Sequence, residues 1–412
     1  MWPFSSFYSV VRSFTLYLTL LCLSLAPSVG LSRVNAAISG VVVGATQQIP
    51  DPIPPCITSG YAEDGVLNIA PLPGHNVQFH RVNRARGSES VGFIVTGNGV
   101  TGEREIITYD VTTMAMIARG VIQSSLLYTT GIAGEVVDNH LYLARASVTG
   151  TPGCVANACM EVTQYDRLGS VVASSQTSLR ADNLDDARMS GPSTLLIGYN
   201  SGAVRNISSW NIPGTTFIAT SPTTGISIPI RFAINGDMGQ QYAAAVNALA
   251  VRRYGLGQTT HQGTGTFLFS GLGTFQGMGI IPSAGMVVGG SSSIGGIGAT
   301  RSYMTNNLTL IGVSAPFLVA DGNEGPFTMF YDSVNNKIHS FRTDAGIGAP
   351  SLIRTDPLSI IEQRFTCVNC NASPSIPQND FIESKARLYV SNAVAGRFAV
   401  RIKVCATGGP PA

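Results

Sequence analysis

Along this chain short apolar runs recur, each followed by a polar loop and a second strand-like segment. The runs are Phe93-Ile-Val95, Leu141-Tyr-Leu143, Leu195-Leu-Ile197, Met286-Val-Val288, Met329-Phe-Tyr331 and Leu388-Tyr-Val390. Runs this short, rich in β-branched and aromatic residues and bounded by turn formers, predict strands. The segments behind most of them end in an aromatic and a turn: Thr108-Tyr-Asp110, Gln164-Tyr-Asp-Arg-Leu-Gly169, Ser209-Trp-Asn-Ile-Pro-Gly214, Arg253-Tyr-Gly255, Arg301-Ser-Tyr303 and His339-Ser-Phe341. Tyr242-Ala-Ala-Ala-Val-Asn-Ala-Leu-Ala-Val251 has the composition of a helix but neither cap nor clear apolar stripe. Counting Tyr242-Ala-Ala as a degenerate member, unit starts fall about 40 to 60 residues apart, the size of a four-stranded unit.

A four-stranded sheet leaves a face unburied, so successive units pack face to face, and circular closure removes the exposed ends. About seven units fit between Val91 and Cys405. The expectation is an all-β fold, a β-propeller of about seven four-stranded blades; the variable period leaves an irregular β-sandwich or β-solenoid array as the alternative. Leu388-Tyr-Val-Ser-Asn-Ala-Val-Ala-Gly-Arg-Phe-Ala-Val-Arg-Ile-Lys403 resembles the YVTN type of β-propeller repeat, in which Leu-Tyr-Val-x-Asn precedes a Gly turn and an alternating strand. His140-Leu-Tyr-Leu, with Val162-Thr-Gln-Tyr-Asp-Arg-Leu-Gly-Ser-Val171 behind it, is similar in outline. The resemblance implies a fold rather than a function, because such propellers host sensors, scaffolds, lactonases and surface proteins alike.

The N-terminus changes the picture. Residues 1–36 read as a signal peptide: Arg12 supplies the positive region, Phe14 to Ala26 an uncharged apolar core that Pro27 ends, and Val34-Asn35-Ala36 a cleavage site before Ala37. The core is shorter than the roughly 20 residues a bilayer span needs, so no stable membrane insertion is expected after its removal. Residues 37–57 read as one strand, Ile38 to Gly44, and a proline-rich connector, Gln48 to Pro55; 58–407 as the propeller-like domain; 408–412 as a flexible tail. Removing Arg12 and Arg33 from 25 Lys+Arg leaves 23 against 23 Asp+Glu, a formally neutral mature chain. Neutrality argues against a nucleic-acid partner, which calls for a basic surplus. With 44% hydrophobic and 12% charged residues, the chain buries a large core and is not disordered by composition.

Cys22 leaves with the signal, and six cysteines remain. In an exported chain an even count favours disulfides. Cys154 and Cys159 close a short loop; Cys56, behind the connector, is expected to pair with Cys405 at the end of the last strand, leaving Cys367 with Cys370. The alternative joins Cys56 and Cys405 each to one sulfur of the C-x-x-C. A zinc site from Cys56, Cys367, Cys370 and Cys405 has only one knuckle spacing.

Other motifs fail their templates. Gly97-Asn-Gly-Val-Thr-Gly102 matches G-x-G-x-x-G, but Glu103 to Asp110 reads as a strand where a dinucleotide site needs a helix, so a hairpin is expected. Gly263 to Gly298 is dense in glycine yet lacks lysine and any Gly-x-Ser-x-Gly. His75, His80, His140, His261 and His339 read as surface or loop residues, the first two on opposite strand faces by their odd offset. Asp182-Asn-Leu-Asp-Asp186 and Asp321-Gly-Asn-Glu324 lack the alternation of a calcium loop and read as solvated turns. Asn206, Asn307 and Asn371 head N-x-S/T sequons, glycan acceptors in a eukaryotic secretory pathway.

No catalytic, cofactor-binding or metal-binding residue is designated, and no cofactor. The function expected is a non-enzymatic secreted or surface-exposed (in a bacterium, periplasmic) scaffold that binds a protein or glycan through propeller loops. The alternatives are a hydrolase or lactonase-like enzyme with a central metal, assembled from several blades, and a structural surface protein that assembles through strand edges.

Exported protein is expected to begin near Ala37, Ser28-Val29-Gly30 being a second candidate cleavage site, and to carry the pairs Cys154–Cys159, Cys56–Cys405 and Cys367–Cys370. N-terminal sequencing and non-reduced peptide mapping read both; an intact Met1 in an integral membrane fraction, or free thiols, contradicts the assignment.

Overall fold

The computed structural model describes residues 38–43, 61–70, 72–82, 91–122, 131–148, 158–223, 230–235, 240–244, 250–266, 275–281, 286–291, 301–305, 307–313, 328–332, 337–344, 349–355, 361–366, 379–382, 387–394 and 397–404. All their regular elements are strands, paired antiparallel into seven sheets. Blade 1 is His75–Val82, Val91–Asn98, Arg104–Asp110 and Met116–Ile122, from first strand to fourth. Blade 2 is Ile132–Val137, His140–Val148, Ala158–Tyr165 and Val171–Arg180; blade 3 is Asn183–Met189, Thr194–Ser201, Val204–Asn211 and Thr216–Pro222. Blades 4, 5 and 6 open with Arg231–Asn235, Phe275–Ile281 and Thr328–Asp332 and repeat the order. Blade 7 takes three strands from the C-terminal region, Asn379–Ile382, Arg387–Val394 and Arg397–Val404, and its fourth, Tyr61–Leu67, from the other end of the chain. First strands touch in succession from blade 1 to blade 6, and that of blade 7 touches that of blade 1. The chain is a seven-bladed β-propeller.

Both faces of a blade are covered by neighbours, which is why the strands read as continuous apolar runs rather than alternating ones. In Val91–Asn98 only the last residue is not buried. Val91, Phe93 and Val95 pack with Val136, Leu141, Leu143 and Tyr165 of blade 2, whereas Ile94, with Ile107 and Tyr109, packs against Leu67 of blade 7. The recurring aromatics close the third strands: Tyr109, Tyr165, Trp210 and Tyr254 are fully buried. Each sits opposite the second strand of its blade, as in Gly92↔Tyr109, Leu141↔Tyr165, Leu195↔Trp210 and Gln241↔Tyr254. Gly92 is required there, since a Cβ would lie 2.3 Å from the Tyr109 ring. The turns that follow lean on the preceding blade: Thr215 Oγ1 lies 3.1 Å from Ser175 Oγ, Thr259 Oγ1 2.9 Å from Ser221 Oγ, and Gly257 N–H donates to Ser190 Oγ at 2.7 Å.

The recurrence holds with one slip. In blade 6 the apolar Met329-Phe-Tyr331 is in the first strand and His339-Ser-Phe341 in the second, one position earlier than in blades 1 to 3. Tyr242-Ala-Ala lies in the second strand of blade 4. Leu388 to Lys403 forms a hairpin that closes at Val394↔Arg397. Gly97 to Gly102 forms the hairpin expected, with Gly102 at φ +70° and its N–H donated to Asn98 O at 2.9 Å.

Ring closure is direct. Tyr61 pairs with Val404 and Leu67 with Ala399. Ile38–Val43 adds a fifth strand outside Met116–Ile122 of blade 1. Cys159 is buried and disulfide-bonded. Residues 1–36, read from the sequence as a signal segment, residues 408–412, Cys56, Cys154, Cys367, Cys370, Cys405, Asn371 and Asp321 to Glu324 lie outside the described residues. Among those residues, no helix is long and apolar enough to cross a membrane.

Leu67 is 1% exposed and shares its cluster with Val82, Ile94, Ile107 and Tyr109. L67A is expected to cost about 2–5 kcal/mol, as for any well-packed leucine, whereas V172A, on an exposed edge, stays within about 0.5 kcal/mol. Urea denaturation of both variants measures this; equal small losses contradict a clamped closing strand.

Candidate functional site

The innermost strands of blades 1, 2 and 3 bring together Arg81, Glu135, Asp186 and Arg188. Arg81 Nη2 donates to Asp186 Oδ1 at 3.3 Å; Arg188 lies 3.6 Å from Glu135 Oε2 and 3.9 Å from Asp186 Oδ1. Asp186 also accepts the N–H of Ala187 at 3.0 Å and, from blade 4, that of Phe232 at 3.1 Å. One carboxylate thereby ties together three blades. Its neighbour Asp185 pairs with Arg205 at 2.5 Å and accepts the Ile230 N–H at 3.0 Å.

Consecutive strand residues ordinarily point to opposite faces. The ladder runs from Leu184↔Tyr199 to Asp186↔Gly198, so Asp185 is the extra residue of a β-bulge. A bulge re-aims side chains, and here both carboxylates receive amides from the segment that opens blade 4. Gly198 lets that segment approach, since a Cβ there would stand 2.9 Å from that of Ile230. This corrects the reading of Asp182 to Asp186 as a solvated turn: Asn183–Met189 is a strand, and the Asp185 and Asp186 side chains are 1% and 7% exposed. The sequence pattern DNLDD conceals the bulge that buries them. Asp182 alone is at the rim, bonded to Arg180 at 2.9 Å and the Gly202 N–H at 2.5 Å. Burial works to raise its pKa; the hydrogen bonds from Arg180 and Gly202 and the Arg180 charge outweigh it and hold the carboxyl below its ordinary value.

A bulge also corrects the histidines. The ladder steps from Val77↔Thr96 to Phe79↔Val95, so Gln78 is extra and the odd offset of His75 and His80 becomes even. Both rings face blade 7 and both are buried, not on the surface. His75 Nδ1 lies 2.8 Å from Thr96 Oγ1, which donates to Glu105 Oε2 at 3.1 Å; Glu105 is paired in turn with Arg119. His80 Nε2 lies 2.7 Å from the Tyr109 hydroxyl. His140 and His261 are at least partly exposed, as expected, and the side chain of His339 lies outside the described residues.

Blade 2 carries a matching carboxylate. Arg145 grips Glu161 with two hydrogen bonds of 3.2 and 2.8 Å, joined by Thr163 and Ser174. Burial pushes the Glu161 pKa up, but the Arg145 charge and these hydrogen bonds prevail and leave it below the usual carboxylate value. Glu105 and Glu161 stand four residues before Tyr109 and Tyr165, so E-x-x-x-Y was a repeat signal available in the sequence. Of the sequons, Asn206 lies in a third strand with its Nδ2 donating to Val204 O at 3.0 Å, and Asn307 is exposed in a turn, accepting from Arg253 at 2.8 Å.

Chemically, this centre is a matched set of two guanidinium groups and two carboxylates. Among the described residues, no group of three His, Cys, Asp or Glu side chains is placed to hold a metal. Arginine occupies the positions beside the acids, and the arrangement suits joining blades.

Truncating one partner of a buried ion pair costs about 3–5 kcal/mol, so D186A is expected to destabilise by that amount. D186N keeps an acceptor for the Phe232 amide and should cost less; urea denaturation compares them, and equal costs contradict a bridging role for the carboxylate oxygens.

No family model and no curated protein matches the chain. Solved structures do. The WD40 domain of Toxoplasma gondii coronin is similar at 11% identity over 90% of this chain and 88% of that one, with TM-score 0.54. Hydrazine synthase of Kuenenia stuttgartiensis is similar at 11% identity over 81% of this chain and 96% of that one, with TM-score 0.56. The Dos1 propeller follows at 11% identity over 86% and 89%, with TM-score 0.50. At these identities the likeness is one of fold, and the fold is a β-propeller.

Proposed function

We propose that this chain is a secreted or surface-exposed binding scaffold that recognises a protein through the hairpins joining second and third strands, on one face of the ring. The observation that carries this is Val100, 96% exposed at the tip of the blade 1 hairpin. Its turn is rigid: Asn98 Oδ1 accepts the N–H groups of Val100 and Thr101 at 2.9 and 3.2 Å, and Thr101 Oγ1 accepts that of Glu103 at 3.3 Å. In blade 3 the equivalent hairpin presents Val204, 47% exposed, and is anchored by Asp182 through Gly202. Because blades repeat one up-and-down order, these tips emerge on the same face. An apolar group on a preformed turn binds without a further ordering cost. A lone exposed apolar residue is ordinary; two on rigid, equivalent hairpins mark a face. The neutral charge and the paired acids at the centre agree with a binding role, and a propeller fold by itself selects none.

Photo-crosslinking side chains placed at 100, 204 and 168 test this reading, Leu168 being an exposed apolar residue in a turn of the opposite face. Incubated with the protein exposed or secreted by the source cells, positions 100 and 204 are expected to give the same adduct and position 168 none. Adducts from 168 alone, or from no position, overturn it.

A further inference from the structure

Two of the three sequons lie among the described residues, and the fold treats them differently. Asn206-Ile-Ser208 is inside the third strand of blade 3, laddered on both sides through Tyr199↔Asn206 and Asn206↔Pro222. The Asn206 Nδ2 donates to Val204 O at 3.0 Å. Ser208, which supplies the hydroxyl of that sequon, is fully buried, and its Oγ accepts the Trp210 Nε1–H at 3.0 Å. A transferase that must grip asparagine and hydroxyl together finds neither presented.

Asn307-Leu-Thr309 lies instead in the turn between Arg301–Thr305 and Leu310–Val313, the third and fourth strands of blade 5. Asn307 and Thr309 are exposed, whereas Leu308 between them is buried, at φ +64°, and pins the turn. Thr305 braces it from below: its N–H donates to Thr309 O at 2.9 Å, its carbonyl accepts the Leu308 N–H at 2.8 Å, and its Oγ1 accepts the Thr309 N–H at 3.1 Å. From blade 4, Arg253 Nη1 donates to Asn307 Oδ1 at 2.8 Å. The carboxamide is planar, with its acceptor and its two donors on separate atoms. Holding Oδ1 therefore fixes the plane and leaves Nδ2, the atom a sugar would join, unobstructed by that bond. Leu310 and Ile311, 36% and 54% exposed, follow at once. They are apolar surface that a bulky, solubilising carbohydrate on Asn307 would stand beside.

We propose that Asn307, and not Asn206, carries an N-linked glycan. In the transfer Nδ2 forms a bond to the anomeric carbon of a lipid-pyrophosphate-linked oligosaccharide and gives up one proton; the anomeric C–O bond breaks, and the lipid pyrophosphate leaves with its electron pair. The Arg253 bond to Oδ1 survives the change. The turn is on the face opposite the hairpins of Val100 and Val204, so the glycan leaves those tips open, and this assignment stands or falls apart from the binding reading.

Glycopeptide mapping of the chain exported by its source cells tests this, with N206Q, N307Q and T309A beside the wild type. The expected result is carbohydrate on the peptide that holds Asn307, kept in N206Q and lost in both N307Q and T309A. T309A removes the sequon but keeps the Asn307–Arg253 contact, so a loss shared by the two variants reports the modification and not the contact. Both should retain the wild-type circular dichroism, since positions 307 and 309 are exposed. An unmodified Asn307 in the wild type, or carbohydrate on Asn206, overturns the assignment.

Discussion

Everything in this molecule hangs on one antiparallel pairing, that of Tyr61–Leu67 with Arg397–Val404. Each blade has two apolar faces and can bury them only between two neighbours. An open row would leave one face of its first blade and one of its last in water. Lending the fourth strand of blade 7 from the opposite end of the chain makes the row a ring, and it places Leu67 in the cluster that packs blade 1 against blade 7. Closure is thus a packing event as well as a hydrogen-bonded one.

Within the ring, cohesion is layered from the centre outward. At the inner strands, charge joins blades: Asp186 is bonded to blades 1, 3 and 4 at once. In the middle, apolar side chains interlock, and the aromatic that ends each of four third strands fills the space beside its second strand. Toward the rim, hydroxyl pairs such as Ser175 with Thr215 connect the outer strand of one blade to a turn of the next. A charged-residue content of only 12% and a high glycine content follow from this plan. There is little solvent-facing sheet to cover with charge, and many tight turns to make.

Strand content, blade size and blade number were legible in the sequence because they rest on hydrophobic runs and turn residues, which are local. Two bulges defeated the reading of the polar positions. At Gln78 one extra residue turned two histidines onto one buried face; at Asp185 another turned two acids inward. A single inserted residue reverses inside and outside, and no composition signals it. The central cluster is illegible for a different reason. Arg81, Glu135 and Asp186 lie about fifty residues apart in sequence, on three blades, and meet only when the inner strands of those blades pack side by side. The slip of pattern in blade 6 shows the same limit in milder form: an apolar run identifies a strand, but not its rank within the blade.

The origin of the closing strand also sets the order of events when the chain is made. Tyr61 leaves any synthesis or export channel well before its partner Val404, with blades 1 to 6 in between. Until then blade 7 lacks its inner three strands and the apolar face of blade 1 waits uncovered. Contacts between such distant positions are the slowest to form, since chain entropy opposes them until the intervening structure is in place. For this propeller, the early blades must persist as a partly wetted arc, exposed to chaperones or to one another, for as long as the rest of the chain takes to arrive.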